Sequence, residues 1–316
     1  MLQFLKTTII FFCISIFSQV TCADPWFTGP ILAPAGRTVP RGHTNFELYG
    51  LDVNTNGQFN NFGSVNHIPL FASMIVNPLL THGFTDWLDI QLSLPYAINS
   101  TQHMHYDHLA DVALGAGFQL VEQKKSKWFP DLRFFVQETF PTRKFEQLNP
   151  DLLGVDATGL GTYRTQIAVN VQYLAEVFNS HYLRTRLILS RLISSSVHVT
   201  GANSFGGTKN TDGTVHPGPE DNIDLAFEFT LTQNWVAVME GYISKGQSTN
   251  FNGILDIVTE GATGTLSSQY YEYGLAPAIE YNFTDSVGVI GGVWFPVRGK
   301  NTSEFITYVV AINAYW

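Results

Sequence analysis

From residue 43 onward, apolar and polar side chains alternate over runs of ten or more positions. In residues 87–96, Leu88, Ile90, Leu92, Leu94 and Tyr96 share one face, and Asp89, Gln91 and Ser93 share the other. In 162–177, Tyr163, Thr165, Ile167, Val169, Val171 and Tyr173 alternate with Arg164, Gln166, Ala168, Asn170 and Gln172. In 222–231, Ile223, Leu225, Phe227, Phe229 and Leu231 oppose Asn222, Asp224, Glu228 and Thr230. A period of two is the signature of a strand with one greasy face and one polar face. A parsing that keeps the alternation places about twelve strands near 43–53, 66–81, 87–97, 109–122, 131–141, 162–177, 182–198, 222–232, 235–245, 268–282, 286–297 and 304–316. Most exceed the about 5–6 residues of an average strand. They suit a tilted membrane crossing, which needs about 9–11.

The connections alternate in length. Links at 82–86, 123–130, 178–181, 233–234 and 283–285 are short, whereas 54–65, 98–108, 142–161, 199–221 and 246–267 read as long polar loops; 298–303 is short where a long one was due. An even number of antiparallel strands, turned tightly at one end and loosely at the other, is the pattern of an outer-membrane barrel. Phe84-Thr85-Asp86 and Phe283-Thr284-Asp285 both fall on the tight side, as does Leu231-Thr232-Gln233-Asn234. Their Thr, Asp and Asn side chains suit tight reversals, because they hydrogen-bond nearby backbone groups. The fold expected is therefore all-β: an antiparallel up-and-down transmembrane barrel over 43–316.

Aromatic residues mark both ends of these strands. Trp87, Trp235, Tyr281 and Trp316 form the expected girdle at the periplasmic turns, and Tyr96, Tyr163, Tyr271 and Phe295 lie near the loop end. Amphipathic rings collect at headgroup level. Charged residues are only 14% of the chain, too few to wet a whole surface of this size, so lipid is the partner expected around the barrel.

Residues 1–23 read as a secretory signal: Lys6, an apolar stretch from Ile9 to Phe17, then small residues before Asp24. Both cysteines, Cys13 and Cys22, lie within it, which excludes a disulfide framework or a Cys-based metal site in the mature chain. Losing Lys6 takes the net charge from −9 to −10, and no basic stripe points to nucleic acid. No cofactor is expected. The segment 24–42 carries Pro25, Pro30, Pro34 and Pro40 and is no central strand; it is either a periplasmic tail or a plug in the lumen.

The last twelve residues, FITYVVAINAYW, place Ile306, Tyr308, Val310, Ile312, Ala314 and Trp316 on one face and end on an aromatic. This terminal strand resembles the signal read by the barrel-assembly machinery of Gram-negative outer membranes, a second expected partner. Together with DPWFTGPILAPAGRTVPRGHTNFELY (24–49), HGFTDWLDIQLSLPY and GLGTYRTQIAVNVQY (159–173), the chain resembles the outer-membrane family named after the meta-pathway of phenol degradation. The resemblance implies a barrel in the outer membrane and uptake of small, often aromatic or hydrophobic solutes; it carries over no functional residues.

If the greasy faces meet lipid, the lumen is lined by Glu47, Asp89, Gln91, Arg133, Gln137, Arg164, Gln166, Arg184, Arg186, Asp224, Glu228, Glu240, Glu272 and Glu280. Arg164, Arg184 and Arg186 would make a basic wall, and Glu228, Glu240, Glu272 and Glu280 an acidic one; the walls either oppose each other across a pore or pair and fill it. Glu138 breaks the pattern, sharing a face with Leu132, Phe134, Val136 and Phe140. A bulge, a register change or a position near the headgroups would accommodate it. His103, His105 and His108 form the one His cluster and a minor metal candidate. No Ser-His pair is singled out, and Ser190 and His198 stand too far apart on one strand, so an enzyme is not expected. The alternatives to a channel are a structural or adhesive barrel acting through its outer loops and, behind it, a barrel-embedded lipid hydrolase.

Overall fold

The computed structural model describes residues 25–123, 128–178, 180–254 and 264–316; the expected signal, 1–23, lies outside them. Eighteen strands follow in order: β1 (Thr44–Phe59), β2 (Val65–Thr85), β3 (Leu88–Ser93), β4 (Tyr96–Thr101), β5 (Met104–Leu109), β6 (Val112–Val121), β7 (Asp131–Phe140), β8 (Arg164–Val177), β9 (His181–Ser194), β10 (Val197–Thr200), β11 (Asp212–His216), β12 (Glu220–Thr230), β13 (Trp235–Gly246), β14 (Thr249–Ile254), β15 (Gly264–Ser267), β16 (Tyr270–Asn282), β17 (Val287–Lys300) and β18 (Thr302–Tyr315). Twelve of them close an antiparallel barrel in the order β1-β2-β3-β6-β7-β8-β9-β12-β13-β16-β17-β18, with β18 returning to β1. Closure leaves no unpaired edge, the condition for crossing hydrocarbon with strands.

Side-chain exposure follows the alternation. Along β12, Ile223, Leu225 and Phe227 stand exposed on the outside while Ala226, Glu228 and Thr230 are buried inside. The outer face of β18 likewise presents Tyr308, Val310 and Ile312. An exposed apolar belt that continues from strand to strand is stable only when lipid covers it.

The three short turns singled out by sequence share one device, and it is the threonine. Thr85 Oγ1 accepts the Trp87 N–H at 3.3 Å. Thr232 Oγ1 accepts those of Asn234 and Trp235, and Thr284 Oγ1 those of Ser286 and Val287, at 3.0–3.2 Å. The third sequence lacks Phe and Asp yet keeps the turn chemistry, because the hydroxyl does the capping.

Several expected loops are folded instead. Residues 98–108 form the β4–β5 hairpin, which extends β2, and 199–221 with 246–267 contribute to a separate sheet in the order β10-β11-β14-β15. Val197, Val199, Val215 and Phe251 give that sheet its own small core, against which Phe145 and Phe205 pack. These segments pair in water rather than in lipid, so they lack the long greasy face by which the barrel strands are recognised.

Residues 142–161 reach from one side of the mouth to the other: Asn99 of β4 donates to the Val155 carbonyl at 3.1 Å, and Thr200 N–H of β10 donates to Glu146 Oε2 at 2.9 Å. Within this loop Lys144 Nζ meets Asp156 Oδ2 at 2.8 Å, and the Asn149 N–H donates to the same oxygen at 3.0 Å. Burial pushes the Asp156 carboxyl up, but these partners outweigh it and hold the group below the usual carboxylate range.

Candidate functional site in the lumen

The inner wall gathers most of the polar residues on the alternating faces. Glu47 of β1, Asp89 and Gln91 of β3, Arg133 and Gln137 of β7, Gln166 of β8 and Arg186 of β9 line a cavity of about 380 Å³. Asn45, Asn77, Thr81 and Asn313 add polar groups to its wall and Tyr49, Leu51, Leu79 and Phe135 apolar ones, while residues 28–35, Arg37 and Val39 of the N-terminal segment form its other side.

The charges of the lumen pair locally. Arg133 Nη2 donates to Asp89 Oδ1 at 2.6 Å, with both side chains buried. Arg184 engages both oxygens of Glu228, through Nη2 and through Nε at 2.6 Å, and Arg186 Nε lies 3.3 Å from Glu228 Oε2. Register causes this, since Arg184 stands opposite Glu228 across the β9–β12 pair. The basic and acidic walls therefore meet at one seam instead of facing each other. Arg164 takes no part. It stands opposite Ser194, whereas Arg184 stands opposite Leu174, so antiparallel register sends Arg164 to the far end of β8. Glu272 accepts the Tyr242 hydroxyl at 2.5 Å and that of Thr302 at 2.8 Å. Asp224 points inward between Ile188 and Tyr242 in register.

Glu240 and Glu280 hold backbone rather than cations. The N–H groups of Ile31, Leu32 and Ala33 donate to Glu240 at 2.5 Å, 3.0 Å and 2.9 Å. Those of Thr28 and Gly29 donate to Glu280 at 2.9 and 3.2 Å. The segment then crosses the lumen. Arg186 Nη1 donates to the Ala33 carbonyl at 2.8 Å, Asn170 Nδ2 to that of Ala35 at 3.2 Å, and Thr38 N–H and Val39 N–H donate to Gln119 Oε1 and Asp89 Oδ2 at 2.7 and 2.9 Å. Proline-rich sequence suits this course. A chain without ladder partners must satisfy its remaining N–H groups on side chains, and each proline removes one such demand.

Packing reinforces the anchoring. Ile31 joins Val236, Val238, Ile290, Val309 and Ala311 in one buried cluster, and Ala33 joins Phe135, Ala168, Ile188 and Ala226 in another. The wall also leaves room for the segment. A Cβ on Gly83 would lie 2.1 Å from the Pro40 carbonyl, and one on Gly36 would lie 2.5 Å from the Gln172 Cβ.

The anchors Gln119, Asn170, Gln172 and Asn282 were not among the residues expected from sequence. Asn170 and Gln172 already lay on the polar face of their strand, but amides recur on every such face and nothing in the sequence ranks them. Glu138 does face outward, in unbroken register with Leu114 and Thr165. It accepts the Thr165 hydroxyl at 2.6 Å and lies two residues from the outer end of β7, so of the three accommodations the position near the rim applies.

At the turn end Trp235 and Tyr281 pack edge to face with centroids 4.7 Å apart, and Trp87 and Trp316 are 55% and 61% exposed. At the loop end Phe140 packs on Tyr163 and Tyr271 on Tyr273. His103, His105 and His108 lie on or beside the β4–β5 hairpin, and among the described residues no three His, Cys, Asp or Glu side chains gather as a metal would need. Ser190 and His198 fall on β9 and β10; His198 Nε2 faces Asp212 Oδ1 at 3.2 Å.

An outer membrane channel from Pseudomonas putida F1 superposes on this chain with a TM-score of 0.70 at 13% sequence identity, covering 90% of this chain and 100% of that one. The two share one barrel fold. The NanC porin (TM-score 0.44, 9% identity, 85% of this chain and 98% of that one) and a TodX monoaromatic hydrocarbon channel mutant (0.35, 9%, 88% and 90%) are more distant. No family model matches the chain, and no curated protein matches it. The phenol-pathway resemblance thus stands on the sequence motifs alone.

Proposed function

We propose that the chain is an outer-membrane channel for small solutes, with residues 25–42 standing in the lumen as a movable plug. The observation that carries this reading is the capture of three successive backbone N–H groups, those of Ile31, Leu32 and Ala33, by the single buried carboxylate of Glu240. A segment held mainly by polar contacts can leave and have them replaced by water, at the cost of exposing Ile31 and Ala33 from their apolar clusters. The solute that suits the lumen is polar. Asn45, Asn77, Gln91, Gln137, Gln166 and Asn313 offer amide donors and acceptors around the cavity, and its arginines are already paired, which favours neutral hydrogen-bonding solutes over ions. An aromatic cargo, as the family resemblance implies, would meet Tyr49, Leu51, Leu79 and Phe135 on part of the same wall but would leave these amides unpaired.

Liposome swelling tests this reading with the plug-deleted protein as the open reference. Small sugars or polyols should enter faster than aromatic compounds of similar size. Equal exclusion of both classes by the plug-deleted barrel would end the channel reading and favour a barrel acting through its external sheet, the specific feature that supports that second role.

A further inference from the structure

We infer that the outward-facing outer rim of β9, β12, β13, β16 and β17 binds the phosphate groups of lipopolysaccharide in the surrounding leaflet. Register sets the site. Arg191 pairs with Asp221, Asp221 with Lys245, Lys245 with Tyr271 and Tyr271 with Lys300, which forms one continuous cross-strand row. Arg298 stands opposite Tyr273 in the next row toward the membrane. All these side chains lie on the lipid face, because the intervening Ser244 and Glu272 are buried in the lumen. At about 4.8 Å between strands, the row from Arg191 to Lys300 spans roughly 19 Å.

Its charge is unlike that of the rest of the molecule. Arg191, Lys245, Arg298 and Lys300 are the outward-facing cations of the barrel wall among the described residues, and all four fall in this patch of a chain whose net charge is −9. Asp221 meets Arg191 at 3.6 Å, and no ion pair holds Lys245, Arg298 or Lys300 among the described residues. Tyr271 and Tyr273, packed edge to face at 5.7 Å, place the row at the headgroup level. Three unpaired cations at that height, on the side of the long loops, meet the outer leaflet. In an outer membrane the anions at that depth are glycolipid phosphates, which accept charge-assisted bonds from Lys and Arg. The inference rests on the outer-membrane placement proposed above and is independent of channel activity.

The test uses the refolded full chain in detergent, titrated with fluorescent diphosphorylated lipid A, the same lipid stripped of phosphate, and phosphatidylglycerol. Replacing all four cations by Gln should weaken diphosphoryl lipid A binding about 600-fold, at roughly fivefold per charge near an anionic surface, while heat-modifiable gel mobility reports an intact barrel. If that variant does not fold, Lys245→Gln/Lys300→Gln should still lose about 20-fold. Wild type should bind the phosphate-free lipid no better than the folded variant does. Equal affinity of wild type and a folded variant, or equal affinity for phosphate-free lipid, overturns the site. Equal affinity for phosphatidylglycerol overturns the assignment to lipopolysaccharide.

Discussion

Replacing Glu240 with Ala should open the lumen. The substitution leaves the three N–H groups of Ile31, Leu32 and Ala33 without their acceptor. A hydrogen bond to a charged group contributes about 1.5–3 kcal/mol net, and three that share one acceptor do not add fully, so the docked segment loses about 3–6 kcal/mol. At 1.4 kcal/mol per tenfold, the undocked population rises by about 10²- to 10⁴-fold. Arg186, Asn170, Gln119 and Asp89 continue to hold the later residues of the segment. Glu280 still holds Thr28 and Gly29, so the release begins at Ile31–Ala33, between the two sets of anchors. Planar-bilayer recording reads the effect as open fraction, with the protein deleted for residues 25–40 as the fully open limit. Glu240→Gln keeps a carbonyl acceptor but no charge and should fall between wild type and Glu240→Ala. Open fractions equal in wild type and Glu240→Ala, alongside a conducting deletion protein, would refute the clamp.

Other consequences follow from the same contacts. Glu228→Gln leaves Arg184 and Arg186 without their counter-charge in the lumen and should lower stability by about 3–5 kcal/mol, read as a lower urea midpoint for loss of the folded gel band. Because the Asp156 carboxyl is held below its usual value, its contribution is present above the unfolded value near 3.8 and fades as pH falls through the lower folded one. Amide protection factors in 142–161 should thus stay high at pH 5 and fall only well below pH 4, and Lys144→Met should lower them at both. An epitope inserted at Thr284 should be hidden from antibody on intact cells, since that turn belongs to the short-link end; surface labelling there would invert the barrel.

The barrel was legible because each wall strand carries its own address: Leu88, Ile90 and Leu92 to lipid, Asp89, Gln91 and Ser93 to the lumen. The β4–β5 hairpin, whose second strand is Met104–Leu109, and the outer sheet were not, because strands paired in water need no greasy face, and Thr249–Ile254 reads as polar loop. The lumen residues were legible as a face and illegible as a site. Glu240 and Glu280 looked like half of an acidic wall until the segment at 28–33 supplied their partners, and backbone N–H groups leave no mark in a sequence. Arg184 and Glu228 were both on the expected list, but only register, a relation between strands, makes them a pair. Glu138 shows the opposite case: the pattern itself flagged the exception, and the structure puts it where the pattern said, softened by Thr165 and closeness to the rim.

Whether the N-terminal segment gates the lumen is tested most directly by tying it down. A Cβ on residue 36 would fall 2.5 Å from that of Gln172 and 2.9 Å from its backbone nitrogen, so the segment must move outward by about 1.3 Å there before a disulfide, which spans about 3.8 Å between Cβ atoms, can close. The chain carries Cys13 and Cys22 within the expected signal alone, so no other thiol of the mature chain competes. In the Gly36→Cys/Gln172→Cys protein, oxidation should abolish bilayer openings, and reduction should restore them to at least the wild-type open fraction, because the added side chain itself loosens the docked segment. Equal conductance in the oxidised and reduced states, with the cross-link confirmed by mass, would contradict a gate made of residues 25–42.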